Sequence, residues 1–414
     1  MAQDDGRIAE DAASFRPGND LARADTTRRA RPQGPEDSGE SVMVKRLSVR
    51  NLLLGTAFAA ALAAPAWAVQ GQTRPRVEVA FVLDTTGSMA GLIDGAKRKI
   101  WSIATSIVET NPDAEIRMAL VIYRDRGDDY VARTYDLTAD IQGLYGDLLQ
   151  LRADGGGDWP ESVNEALHAS VNKLRWSQDQ ATRKIVFLVG DAPPHMDYAN
   201  APKYPEVAAA ARRAGIVVNA VQAGNAGDTR QIWQDIAQRG AGRYIPIPQD
   251  GGQVVMIETP YDGDIIILQR RIDATVIPYG SARQQESMRG KIELRAAAPA
   301  SVQADNSGFY SKRADRSAVV TGAGDLVADI SAGDKMLEAV PEAELPEVLQ
   351  GKSAPERQAY VEQQRTKRAA LTAQMAELVG RRDAYIAEQA KQSASASTDS
   401  FDRAVEETLR TQLQ

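Results

Sequence analysis

From Val77 onward, short runs of β-branched and aliphatic residues alternate with longer stretches whose apolar positions recur at helical spacing. Strands buried on both faces read as continuous apolar runs, and the crossovers between them read as amphipathic helices. The pattern over 76–250 therefore predicts an α/β fold with a doubly wound, mostly parallel sheet. Strands are expected at Val77 to Leu83, Ile116 to Tyr123, Val131 to Leu137, Lys184 to Val189, Ile216 to Gln222 and Arg243 to Ile247. Helices are expected near Met89 to Glu109, Ile141 to Leu151, Glu161 to Leu174, Tyr204 to Ala214 and Thr229 to Arg239. Only "RDRGDD" separates the second and third strands, so the third should run antiparallel at an edge.

After about Asp250 the alternation stops. Residues 260–280 read as a helix and a short extended piece, and 251–340 as a mixed α/β extension. The region 341–414 is mainly helical, with one long helix at about 354–391. Ser353 and Glu356 have capping-box spacing there, Pro355 lies in the first turn, and no glycine intervenes before Gly380. Tyr360, Leu371, Met375, Leu378, Val379 and Ile386 make a thin apolar stripe that requires a partner. Two partners suit it: the last helix, Phe401 to Leu413, reached through the flexible "SASASTDS", or a helix of another chain in a coiled coil. Arg365, Lys367 and Arg368, interleaved with Glu362, read as a solvated face.

The N-terminal side reads differently. Residues 1–42 are rich in Asp, Arg, Gly, Pro and Ser without apolar period, the composition of a disordered leader. Met43 then opens a cationic segment with Lys45, Arg46 and Arg50, followed by an apolar run from Leu52 to Ala64 and by Ala66-Trp67-Ala68. That order is a signal peptide over 43–68, cut before Val69, with Met43 as the expected true start. The expected location is the periplasm or the exterior of a bacterial cell. Membrane attachment follows only if the segment stays uncleaved.

Composition narrows the chemistry. A net charge of −7 without a basic face argues against nucleic acid as a partner. The absence of cysteine excludes disulfides and thiolate sites, and two histidines, His168 and His195, exclude a multi-imidazole zinc site.

The remaining chemistry gathers at strand ends, where doubly wound sheets bind ligands. "FVLDTTGSMAGL" ends the first strand with Asp84, Thr86 and Ser88 in D-x-T-x-S spacing, which offers one carboxylate and two hydroxyls on one side of a loop. Oxygen donors of this kind suit a hard divalent cation. "LVGDAPPH" places Asp191 after the fourth strand, "DGGGDWPES" places Asp158 in a glycine-rich turn, and "YRDRGDD" places Asp125 after the second strand. Duller roles exist: Thr86 and Ser88 as helix caps, Asp191 as a turn residue, Glu161 as a first-turn charge and His195 as a loop histidine. The glycines at 155–157 lack the Lys-Ser/Thr that a phosphate-binding loop needs.

D-x-T-G-S after a first strand, a glycine-rich loop before a later helix and an aspartate after the fourth strand resemble a von Willebrand factor type A (VWA) domain with a metal-ion-dependent adhesion site, of a bacterial secreted type. The resemblance covers about Arg76 to Asp250. It implies that Thr86 and Ser88 bind metal through hydroxyls and that Asp84 and Asp191 hold it directly or through water. Where the family commonly has a threonine, the nearest match is Asp158, a departure that would make the site about −1 around a divalent ion. Tighter retention, tolerance of Ca²⁺ beside Mg²⁺ and weaker reliance on a partner's acid would follow. Asp125 and Glu161 are expected to support the ligands from behind.

The expected function is protein binding through this Mg²⁺-type site, without catalysis. A metal-dependent phosphatase-like hydrolase is an alternative, but Thr86 stands where such enzymes carry their second acid. A structural scaffold of an envelope complex is the other.

Overall fold

The computed structural model describes residues 74–252, 256–392 and 400–414. The leader, the signal segment and the "SASAST" link lie outside them. Among the described residues, six strands form one sheet in the order β3-β2-β1-β4-β5-β6: β1 (Arg76–Asp84), β2 (Glu115–Tyr123), β3 (Ala132–Thr138), β4 (Arg183–Gly190), β5 (Ile216–Ala223) and β6 (Ala241–Ile247). β3 pairs antiparallel with β2 at the edge, as the short loop requires, and the other pairs are parallel.

Pleating divides each central strand between two cores. Val77, Val79, Phe81 and Leu83 of β1 face one layer with Ile185, Phe187 and Val189 of β4. That layer is covered by α1 (Ala90–Thr110) and α2 (Ile141–Gln150). Ala80 and Val82 face the other layer, under α3 (Val163–Asn172), α4 (Tyr204–Arg213) and α5 (Gly227–Arg239), where Trp233 is fully buried. The strand order turns back between β1 and β4, so their carboxyl ends open side by side.

The 251–340 stretch differs from the mixed α/β expectation. Its described residues form α6 (Asp262–Asp273), α7 (Ala282–Ala296), α8 (Ala300–Lys312) and α9 (Leu326–Ala332). Its β content among them is an isolated bridge, Pro278 to Asp325. Local capping explains part of this: Ser281 and Gln284 close a full capping box on α7, and the Asp325 side chain accepts from Val327 N at the start of α9.

α10 (Ala354–Gln392) is the expected long helix, and Glu356 bonds both the backbone N and the hydroxyl of Ser353. Its stripe packs on α6, α8 and α9, with Leu371, Met375 and Val379 meeting Ile265, Leu268 and Ile272. The last helix, α11 (Phe401–Leu413), instead lies along α1 and touches β6. Phe401, Val405, Leu409 and Leu413 enter the α1 layer, and Gln412 bonds the Asn219 side chain of β5. α8 also docks on α1, where Phe309 meets Trp101 with ring centroids 5.5 Å apart. The sheet and the C-terminal helices thus share one core.

Candidate metal centre

Asp84 is the last residue of β1, level with Tyr123 on β2 and beside Gly190 on β4. Its carboxylate is fully buried. Thr86 returns to it twice: the backbone N donates to Oδ1 at 2.8 Å and the hydroxyl donates to Oδ1 at 2.7 Å. Ser88 Oγ lies 3.3 Å from Thr86 Oγ1. Neither hydroxyl caps the following turn: the short 3₁₀ segment at Gly87–Met89 and α1 both start without a side-chain cap bond. The capping role weighed for Thr86 and Ser88 is therefore not the one they take.

Asp84 Oδ2 is buried and has no hydrogen-bond partner. A buried carboxylate oxygen without a donor costs a few kcal/mol in order of magnitude unless a cation or proton meets it. Burial, with the charge of Asp191 adding to it against the Thr86 bonds and the nearby Tyr123 hydroxyl, pushes the Asp84 carboxyl up to about 7. Gly190 is what lets the oxygen sit there. A Cβ on it would stand 2.3 Å from Tyr123 Oη and 3.2 Å from Asp84 Oδ2.

Asp191 follows β4 and is buried, and its Oδ2 accepts from Gln249 Nε2 at 2.6 Å. Thr229 Oγ1 holds the Asp191 backbone carbonyl at 3.1 Å. The third acid on this side is Glu161. Its side chain is buried and its Oε2 also lacks a partner. A Cβ placed on Gly156 would be 3.2 Å from both Glu161 Oε1 and Thr86 Cβ, so this glycine lies against both the acid and the Thr86 side chain. Burial first, then the charges of Asp84 and Asp125, push the Glu161 carboxyl up to about 9.

Asp158, expected to complete the cage, lies in a different group. Its side chain is exposed, and Oδ2 stands 3.6 Å from Nε2 of buried His195. Asp125 Oδ2 lies 3.4 Å from the same nitrogen. Asp125 is also held by Ser162 Oγ at 2.8 Å and Tyr198 Oη at 2.8 Å. The physical reason lies in the turn: Gly155 and Gly156 both have positive φ, +79° and +85°, which swings the chain so that Glu161 points inward and Asp158 outward. His195 is a loop residue, as expected, and its side chain is buried. Burial opposes charging its ring, but the bond to Asp197 and the charges of Asp125 and Asp158 raise its pKa above the ordinary value.

The fold brings Asp84, Thr86, Ser88 and Asp191 to the strand-order reversal, adds Glu161, and gathers Asp125, Asp158 and His195 next to it. Residues 78–259 match the family model for the von Willebrand factor A domain. This segment is a VWA domain. Over 119 residues the chain is 30% identical to an ariadne-like RING finger protein of Acanthamoeba polyphaga mimivirus, spanning 29% of this chain and 11% of that relative. Similar solved structures include proximal thread matrix protein 1 from the mussel byssus, with 17% identity, TM-score 0.33 and 43% of each chain covered. Another is the SpRpn10 VWA domain, with 14% identity, TM-score 0.33, and 43% of this chain and 89% of that one covered. VWA domains generally mediate protein–protein interaction and often bind a divalent metal.

The donor set fits such an ion. Carboxylates and hydroxyls are the donors a hard cation takes, and two of the buried acid oxygens here, Asp84 Oδ2 and Glu161 Oε2, have no partner in the protein. Glu161, read from spacing as a charge in a first helical turn, lies before α3 and is buried with Oε2 unpartnered. Its signal was the E-S pair following the glycine turn, but its inward direction depends on the φ values of that turn.

Proposed function

We propose that the VWA domain holds a divalent cation of the Mg²⁺ type at Asp84, Thr86, Ser88 and Asp191, and uses that surface to bind a protein partner. The observation that carries this reading is Asp84: one oxygen tied down twice by Thr86, the other buried and unpartnered at the crossing point of the sheet. When bound, the cation supplies a Lewis-acidic centre for an oxygen ligand of the partner. The chain's part is to orient the donors. Thr86 fixes the Asp84 carboxylate, Gln249 fixes that of Asp191, and Gly190 keeps the space beside them open.

Glu161 takes over the charge question raised for Asp158. While it keeps its proton, Asp84 and Asp191 balance a divalent ion, and a partner carboxylate meets a centre that still attracts it. Trp159 and Met196, 47% and 46% exposed, give the rim of the neighbouring group an apolar contact surface of the kind protein partners use. Trp159 is steadied by its Nε1 bond to Asp228 at 2.8 Å.

Mg²⁺ titration by calorimetry tests the reading. Binding should vanish in Asp84→Asn and weaken in Asp191→Asn, and indifference to both substitutions would end it. Chelator should release the partner captured from cell extracts. Phosphatase assays with Mg²⁺ should show no turnover, consistent with Thr86 lying where a second acid would be needed. The same reading has the chain exported and cut after Ala68. N-terminal sequencing of the purified protein should begin at Val69, and a retained leader would count against export.

A further inference from the structure

The Asp125, Asp158 and His195 group is a distinct piece of chemistry that the Mg²⁺-type cage does not use. Its three donor atoms lie within 4.8 Å of one another. His195 Nδ1 is 2.8 Å from Asp197 Oδ1. An ionised carboxylate can only accept, so Nδ1 carries the hydrogen and Nε2 is left as the free ring position. Nε2 is buried, has no hydrogen-bond partner, and is aimed at Asp125 Oδ2 and Asp158 Oδ2. The ring is clamped in that direction by Tyr198, stacked on it with centroids 4.0 Å apart, and Tyr198 in turn lies under the Arg126 guanidinium.

A bare nitrogen lone pair facing two carboxylates is repulsive, so something positive belongs between them. Either a proton on Nε2 or a metal ion meets that need. The separations of 3.4 and 3.6 Å are close to the edge of a tetrahedron, ~3.4 Å, that follows from zinc–nitrogen and zinc–oxygen bonds of about 2.0–2.2 Å. Imidazole with two carboxylates also selects for borderline ions over Mg²⁺, which prefers oxygen alone. The pairing of Nδ1 with Asp197 is the outer hydrogen bond that metal-ligating histidines make.

We propose that Asp125, Asp158 and His195 form a second cation site, selective for Zn²⁺-type ions and separate from the Asp84 cage. Exposed Asp158 is its solvent-side ligand, and the open fourth position faces outward for water or a ligand from a partner.

Equilibrium dialysis of the full chain against Zn²⁺ in excess Mg²⁺ tests this, with Co²⁺ as a visible-absorption probe of tetrahedral nitrogen and oxygen coordination. Zn²⁺ should be retained by the wild type and by Asp84→Asn. His195→Gln and Asp158→Asn should each weaken it by roughly 100-fold, and Asp197→Asn by about 10-fold. Asp158 is exposed, so Asp158→Asn keeps the test decisive even if His195→Gln does not fold. Retention that ignores Asp158→Asn, or that is lost in Asp84→Asn alone, would overturn the proposal, since Zn²⁺ would then sit elsewhere. The two sites use different residues, so failure of one leaves the other standing.

Discussion

The VWA domain and the C-terminal helices bury charge in opposite ways. In the helical part, buried arginines meet buried aspartates. Arg368 pairs with Asp325 at 2.6 Å and also donates to Thr275 O, Arg382 bridges Asp262 and Asp305, and Arg295 pairs with Asp273. The Arg368 and Arg382 clamps join α10 to α6, to α8 and to the turn before α9, and the Arg295 clamp joins α7 to α6. At the carboxyl edge of the sheet, Asp84 and Glu161 are just as buried, yet each has an oxygen with no partner. Burial alone therefore says little about role; the presence or absence of a counter-charge separates a structural acid from one poised for a ligand.

The comparison breaks if removing a clamp costs nothing. Asp325→Ala leaves Arg368 buried and uncompensated, and urea denaturation should show a loss of about 3–5 kcal/mol. The double replacement Arg368→Met with Asp325→Leu should recover most of it, because an apolar pair needs no counter-charge.

A pH series sharpens the other side. Asp84 and Glu161 have folded-state pKa values raised to about 7 and about 9, above the ordinary 3.8 and 4.5. Between these limits the folded state binds more protons than the unfolded chain, so the stability of chelator-treated protein should fall as pH rises from about 4 towards 9, by a few kcal/mol in order of magnitude. Stability that rises over this window would contradict the assignment. Mg²⁺ should restore more stability at the alkaline end, where the carboxylates are ionised.

Asp84→Asn should have the opposite signature from Asp325→Ala. Without metal it should unfold within about 1 kcal/mol of wild type, because a charge that nothing compensated has gone. With Mg²⁺ at a hundred times the wild-type Kd, it should lack the roughly 2.7 kcal/mol of stabilisation that the wild type gains. Smallest of all, Glu377→Ala, which removes an exposed i, i+4 partner of Arg381, should change stability by no more than about 0.5 kcal/mol.

Much of the sheet and half of the site were legible in the chain. The alternation of apolar runs identified the six strands, and D-x-T-x-S with Asp191 picked out residues that gather at the strand-order reversal, because strand ends fall where apolar runs stop. The inward and outward partners were not legible. Asp158 and Glu161 are three residues apart in one loop, and the two positive-φ glycines before them decide which points to Asp84. His195 lay in an unremarkable loop until the fold set Asp125 opposite it. Arg368, read as part of a solvated face, is buried against Asp325. A charge on a helix reveals its own chemistry but not the residue the helix will be packed against.

Local periodicity and spacing determined by themselves the α/β order of 76–250, the antiparallel edge, the long capped helix and the acid-hydroxyl motif, since each depends on neighbours within a few turns of chain. Tertiary structure alone decided that α11, rather than any element near β6 in sequence, flanks α1. It also placed α10 on α6, α8 and α9, and gathered Asp125 and Asp158 around His195. Those outcomes depend on which distant surfaces bury each other, and an amphipathic stripe or a lone carboxylate is compatible with many partners until the core has chosen one.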